Sequence, residues 1–420
     1  MPKVVQKHAL MEQQKLIPHL FRTEFRKITA VLTRFLGIEH LELAEDLVSE
    51  TFVLALETWP HHGIPDSPSA WLYTVAKNKA KNQLKRQQLF QGKIRPDLMN
   101  EPDLSQEPEL DLSPQNITDS QLQMLFAICH PAIPVESQIG LALRTLCGFG
   151  IDEIAIAFLS SKETINKRLF RAREKLRQEK VNIEIPGPMA IQERLASVLT
   201  TLYLLFSEGY YSESQDSVLR KDFCLEAMRL TYSLIEYAPT NQPQVNALMA
   251  LMCFQASRFE ARTNEKGEML LYHEQDESQW DEVLIARGAY FLKKAAQGNA
   301  LSKYHLEAQI AYWHTIKQDG PEKWQQILQL YNHLLVLEYS PIVALNRTYA
   351  LAKVKGNAVA ILEAEKLKLE NNHFYYTLLG ELYLPIDPLK AKVYFERAMA
   401  LAKTQTDKQT IQKKIDQLKV

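Results

Sequence analysis

The sequence is poor in the residues that other fold classes need. Only 14 glycines occur in 420 residues, too few for barrels and turn-rich β folds, and the scarcity suits helices. The four cysteines, Cys129, Cys147, Cys224 and Cys253, are widely spaced with no Cys-x-x-Cys pair. Neither a zinc knuckle nor a disulfide framework is indicated, and buried free thiols are expected. No apolar run approaches the roughly 18 residues of a membrane span, and the N-terminus lacks the apolar stretch of a signal peptide. A cytoplasmic protein without a membrane partner is the expectation. The formal net charge is −1, so the total makes no case for nucleic acid and any basic surface has to be local. No nucleophile, phosphate-binding loop or metal-ligand spacing stands out. Neither an enzyme nor a cofactor or metal is expected.

Helical periodicity fills the rest. Leu16, Leu20, Ile28, Leu32 and Phe35 keep to steps of three and four, and Gly37 closes that run. A second helix is predicted from about Leu43 to Trp59, with Leu47, Phe52 and Leu54 to Leu56 apolar and Asp46, Ser49, Glu50 and Glu57 polar. A loop follows over residues 60–68, and a third helix begins near Ser69. From Trp71 to Arg95 that segment carries Lys77, Lys79, Lys81, Lys85, Arg86, Lys93 and Arg95 and no acid.

Residues 96–119 invert this character. They hold Pro96, Pro102, Pro108 and Pro114 with seven acids and no base. Such a stretch predicts a flexible, solvated linker, since proline opposes helix and few apolar groups are available to bury. Beyond it, a helix over about Val135 to Cys147 is followed by a short one over Ile151 to Leu159, the turn Ser160-Ser161, and a longer one from Lys162 to Arg177. This is the helix-turn-helix arrangement, whose second helix enters the DNA major groove. Ile165, Leu169, Ala172 and Leu176 form its buried stripe and Ser161 its N-cap. Lys162, Thr164, Asn166 and Lys167 near the helix start suit base edges, and Arg168, Arg171 and Arg173 suit phosphates.

In order and content the first 180 residues resemble the extracytoplasmic-function (ECF) sigma factors of the sigma-70 family. Residues 44–52 (AEDLVSETF) and 70–78 (AWLYTVAKN) look like region 2. The stretch from Asp152-Glu153-Ile154-Ala155 through residues 164–177 (TINKRLFRAREKLR) looks like region 4. The resemblance implies that Asp46, Leu47, Ser49, Glu50 and Phe52 meet the β′ clamp helices of core RNA polymerase, with the β flap as a further contact. It also implies that the third helix and its preceding loop, through His62, Trp71, Asn78, Lys81, Asn82, Lys85 and Arg86, take the unwound −10 strand, while the helix-turn-helix reads the −35 element of promoter DNA. Trp71 and Tyr73 fit base stacking and core equally well. Gly150 stands where many relatives place a serine N-cap.

From about Pro186 onward the chain is helical without basic bias. Leu345-Asn346, Tyr349 and Leu362 recur in kind as Leu379-Gly380, Tyr383 and Phe395, the first three at 34 residues, the period of tetratricopeptide (TPR) repeats. Residues 203–211 (YLLFSEGYY), with Asp222-Phe223-Cys224 and Glu274-Gln275-Asp276, look like the ECF subgroup with a C-terminal TPR-like extension. Glu208, Asp222, Glu274 and Asp276 are expected in structural or partner contacts. The expected fold is all-α: a region 2 bundle over 1–95, a linker over 96–119, a region 4 helix-turn-helix over 120–185, and a TPR-like α-solenoid over 186–420 that regulates the sigma module or holds a ligand or protein. Two rival classes are a one-component helix-turn-helix regulator with sensing repeats and a pure TPR scaffold. The segment from Leu16 to Arg95 counts against the first, and the helix from Lys162 against the second.

Overall fold

The computed structural model describes residues 2–94, 113–158, 160–210, 220–262, 270, 272–298, 300–316, 318–402 and 404–418. Among them the regular structure is helical, as the glycine content and periodicities predict. The chain divides into two compact units, Met1–Thr201 and Leu202–Val420.

The first unit opens with α1 (Pro2–Leu36), α2 (Leu41–His62) and α3 (Pro68–Ile94). Each presents one apolar stripe to a shared core: Ile28 and Leu32 from α1, Ala44, Val48, Phe52, Ala55 and Trp59 from α2, and Leu72, Ala76 and Ala80 from α3. Stripes at steps of three and four bury one face and leave the other to water. The hydroxyls taken into this core bond back along their own helices, Thr29 to the Phe25 carbonyl at 2.8 Å and Thr51 to that of Leu47 at 2.8 Å, so their burial leaves no donor unsatisfied. Gly37 ends the α1 run with φ of +98°, a conformation that favours glycine. The predicted loop is shorter than expected. Pro60, His61 and His62 complete the last turn of α2, which stops at Gly63 with φ of +86°.

A second bundle follows in the same unit: α4 (Pro114–Ile128), α5 (Val135–Thr145), α6 (Ile151–Ala157) and α7 (Lys162–Gln178). Of the expected linker, residues 96–112 lie outside the described residues, as do Arg95, Leu159 and Tyr211, but residues 114–119 are helical. Pro114 occupies the first turn of α4, where its missing N–H has no helical partner to lose, and Ser113 caps that turn by accepting from the Asn116 N–H at 3.2 Å. Proline ends helices from within and starts them from the edge. The expected boundary at 185/186 also shifts. α8 (Pro188–Tyr210) begins in the first unit, where Ile191 and Leu195 are buried and Arg194 donates to the Phe126 carbonyl at 3.1 Å.

The second unit centres on α10 (Pro243–Ala256). It is apolar nearly all round, from Val245 to Phe254, and accordingly buried all round. Packed on it are α9 (Lys221–Glu236), α11 (Glu282–Ala295) and α12 (Lys303–Trp313). Beyond come α13 (Pro321–Leu337), α14 (Pro341–Lys355), α15 (Asn357–Leu367), α16 (His373–Tyr383), α17 (Pro388–Leu401) and α18 (Gln405–Asp416), with successive helices in contact. The 34-residue pairing holds for Leu345 with Leu379, both buried. Its later member is corrected: Leu362 is exposed, whereas the neighbouring Ile361 is buried and lies 34 residues before the buried Phe395. Ala364 and Ala398 continue the same interval. Asp276 is structural, its carboxylate accepting from the Ser278 N–H at 2.9 Å.

All four cysteines are buried and free. Burial pushes the thiols of Cys129, Cys224 and Cys253 up to about 12. Two glycines let rings lie directly on helix backbone. A Cβ at Gly380 would meet the Phe395 ring at 2.6 Å, and one at Gly288 the Phe254 ring at 2.6 Å. Because Phe254 is itself enclosed, Gly288→Val is expected to destabilise the second unit by about 1–3 kcal/mol. Chemical denaturation checks this, and Phe254→Leu should recover part of the loss.

Candidate polymerase and nucleic-acid interface

The amphipathic pattern of the first bundle leaves two chemically different faces. On α2, Asp46, Ser49 and Glu50 point outward, with Glu50 Oε2 2.7 Å from Lys79 Nζ on α3. Leu47 and Phe52, expected on the same interface, are core residues at 6% and 3% exposure. Helical phase turns each of them about 100° or more away from Asp46, toward the core. The apolar groups that do reach the surface are Val53 and Leu56, which with Phe21, Ser49 and the edge of Phe52 line a groove of 670 Å³. Sequence reading missed this groove. The exposed apolar residues four and seven positions after Ser49 were the signal for it.

On α3 the outward face is amide and cationic. Asn78, Asn82, Lys85 and Arg86 are exposed and Lys81 is half-buried. Steps of seven, four and three from Trp71 through Asn78 and Asn82 to Lys85 place these on one side. Leu72, Ala76 and Ala80 occupy the other, in the core. Trp71 is half-buried and packs edge-on against Trp59, ring centroids 5.4 Å apart. Tyr73 belongs to the core, its hydroxyl donating to Glu24 at 3.1 Å. His62 is exposed at the end of α2, with Nδ1 3.2 Å from the Thr58 carbonyl. Among the described residues no cluster of His, Cys, Asp and Glu is placed to hold a metal.

The helix-turn-helix forms as the spacing predicts. Ser161 Oγ accepts from the Thr164 N–H at 3.2 Å, and Ile165, Leu169, Ala172 and Leu176 face inward. Gly150 lacks a capping side chain, but the Glu153 carboxylate accepts its N–H at 2.5 Å, so that donor is satisfied from the other direction. Thr164, Asn166, Lys167 and Arg171 are exposed. Lys162 pairs with Asp152 of α6, and that hydrogen bond raises its pKa. Arg168 lies over the Phe158 ring at 5.8 Å. Between α7 and the start of α5 runs an open groove of 680 Å³, lined on one side by Thr164, Lys167, Arg168, Arg171 and Lys175. One arginine departs from the expected pattern. Arg173 is turned away from this groove onto α2, 3.5 Å from both Glu42 and Glu45.

The cap sets where α7 starts and hence which side chains lead it. Ser161→Ala should cost about 1 kcal/mol of stability, read as a lower unfolding midpoint. Ser161→Asp should restore it, because aspartate also accepts from the first-turn N–H groups.

Comparison with known proteins agrees with this geometry. Residues 20–90 match the model of sigma-70 region 2, and residues 194–296 match a family of unknown function, DUF6596. An uncharacterized protein of Rhizobium meliloti, R00370, is 33% identical over 385 residues, covering 90% of each chain. The ECF RNA polymerase sigma-E factor of Haemophilus influenzae is 27% identical over 155 residues, covering 35% of this chain and 78% of its own. No solved structure matches. The region 2 match and the likeness to an ECF sigma factor support membership of the sigma-70 family, and the chain belongs to one family with the Rhizobium protein R00370.

Proposed function

We propose that the protein is a sigma factor of the ECF type, binding core RNA polymerase and directing promoter-specific initiation, and that its C-terminal helical unit regulates that activity or holds a partner. The observation that carries this is the sorting of faces on the region 2 bundle. Asp46, Ser49 and Glu50 on α2, beside the Val53–Leu56 groove, make an apolar patch with a charged rim, the build of a protein interface. On α3, Asn78, Asn82, Lys85 and Arg86 combine amides for base edges with cations for backbone, as single-stranded DNA requires. Across the second bundle, Thr164, Asn166, Lys167 and Arg171 lead a capped helix suited to the major groove of the −35 element. The chain acts on this account by binding and positioning, without a catalytic residue of its own.

The C-terminal unit is proposed to work from within the chain, in a positive sense, as TPR-like repeats that present a surface to a partner. Its removal has to respect the observed boundary. A stop near Pro186 would strip α8 from the first unit, whereas a stop after Thr201 keeps Ile191, Leu195 and Arg194 in place.

Purified protein should co-elute with core polymerase and support transcription from a supercoiled promoter, and Asp46→Arg should abolish both while far-ultraviolet circular dichroism stays unchanged. Full polymerase binding by Asp46→Arg would remove α2 from the interface. The two DNA-reading helices should separate by assay. Lys81→Ala and Asn82→Ala should reduce permanganate reactivity at −10, and Asn166→Ala should relax base preference at −35, with about 1–3 kcal/mol of discrimination lost at the contacted position.

A further inference from the structure

The second unit holds a carboxyl whose natural cation is engaged elsewhere. Glu307 lies midway along α12, and Lys303, four positions earlier on the same helix, stands where an ion pair would ordinarily form. The ammonium of Lys303 instead pairs with Glu338, just past α13, at 3.1 Å. It also lies over the rings of Tyr203 and Tyr304 at 5.5 and 5.8 Å. What reaches Glu307 is a phenol: the hydroxyl of Tyr203, on α8, hydrogen-bonds its carboxylate. The Tyr203 ring packs on that of Tyr304, centroids 5.7 Å apart, so one aromatic pair joins α8 to α12 above the acid.

The groups around Glu307 set its charge. α8 supplies Tyr203, itself bonded to Ser207; α12 supplies Lys303 and Tyr304; α13 and the residue after it supply Tyr331 and Glu338. α10 carries no charged residue, and those of α11 are not among the groups acting on Glu307. His305 is turned away, its ring held between Ser302 and the Ala295 carbonyl. Burial dominates and pushes the Glu307 carboxyl up to about 7; the Tyr203 hydrogen bond and Lys303 oppose it, and Glu338 adds to it. Burial, and then the neighbouring carboxylate, raise the phenols of Tyr203 and Tyr331, so Tyr203 stays a donor throughout this range.

The position of this acid gives it leverage. α8 carries the chain from the first compact unit into the second, with the boundary between Thr201 and Leu202. Tyr203 therefore lies where the second unit begins, beside the buried Leu202, Leu205 and Phe206. We propose that Glu307 and Tyr203 form a pH-sensitive clasp: uncharged, Glu307 lets the end of α8 seat tightly on α12, and its ionisation loosens that seat. The clasp goes beyond the sigma-factor reading and does not depend on it. Its direction follows from proton linkage. A carboxyl released to water ionises at its ordinary value of 4.5, a seated one only near 7, so opening releases a proton and is favoured as pH rises across that window. The full span is roughly 300-fold in the opening equilibrium, of which about tenfold falls between pH 6 and pH 8.

Hydrogen exchange on the full chain tests this, read from a peptide covering residues 202–210 under conditions where exchange follows the opening equilibrium. Glu307→Gln is the reference, because the amide keeps the shape and does not titrate. Dividing wild type by variant at each pH removes the intrinsic pH dependence of exchange. The ratio should rise about tenfold from pH 6 to pH 8 in this peptide and stay constant in one from α7. Tyr203→Phe should carry the rise to higher pH, since the lost hydrogen bond favoured the charged form; a side chain that only packs would not move the window. Two readings need no Glu307 variant. Within the wild type, exchange in 202–210 relative to α7 should show the same rise, and infrared spectra should show a carboxylic-acid carbonyl band at pH 6 that is lost by pH 8. A flat exchange ratio in residues 202–210, or absence of that band, overturns the clasp.

Discussion

Every surface with a proposed role in this protein exists because the helix behind it buries a single stripe. Helical side chains three and four positions apart share a face, so an apolar residue at those steps fixes both what enters the core and what is left for water. Val48, Phe52, Ala55 and Trp59 draw α2 inward and thereby expose Asp46, Ser49 and Glu50. Leu72, Ala76 and Ala80 do the same for α3 and turn Asn78, Asn82 and Lys85 outward. Ile165, Leu169, Ala172 and Leu176 orient α7. A one-position shift in any of these stripes would rotate its functional face by about 100°.

Charge is arranged locally in a chain that is nearly neutral as a whole. Basic groups gather on the outer faces of α3 and α7, and acids gather at the start of α2. The consequence is internal as well as external. Once the bundles share one unit, the acidic turn of α2 lies within reach of α7, and Arg173 settles there instead of remaining in the row with Lys167 and Arg171. The complementarity that would serve the proposed binding of polymerase and DNA also acts between the two bundles. Attraction between parts of one chain competes at high effective concentration with attraction to partners.

The C-terminal unit follows a different rule. α10 is buried on all sides and serves as an axis for α9, α11 and α12, and two glycines admit phenylalanine rings against the backbone, Gly288 under Phe254 and Gly380 under Phe395. Contacts between successive helices dominate the later part, from α13 to α18.

Local patterns were legible in the sequence by itself: the all-helical class, the amphipathic phase of α2, α3 and α7, the Ser161 cap, the turn between α6 and α7, and the buried thiols. Each depends on neighbours within about four residues or on composition, and such information is written in order along the chain. The burial of Leu47 and Phe52 was not read from the motif, because a family motif names residues without saying which of them pack inward. Pro114 read as a breaker because its role depends on whether it starts a helix or interrupts one. The pairing of Ile361, in place of Leu362, with Phe395 awaited the burial of one and the exposure of the other. Where Arg173 points was decided by tertiary structure alone. It depends on contacts 131 residues away in sequence, between Glu42 and Arg173, and no spacing within α7 distinguishes an arginine left facing solvent from one that meets its own chain.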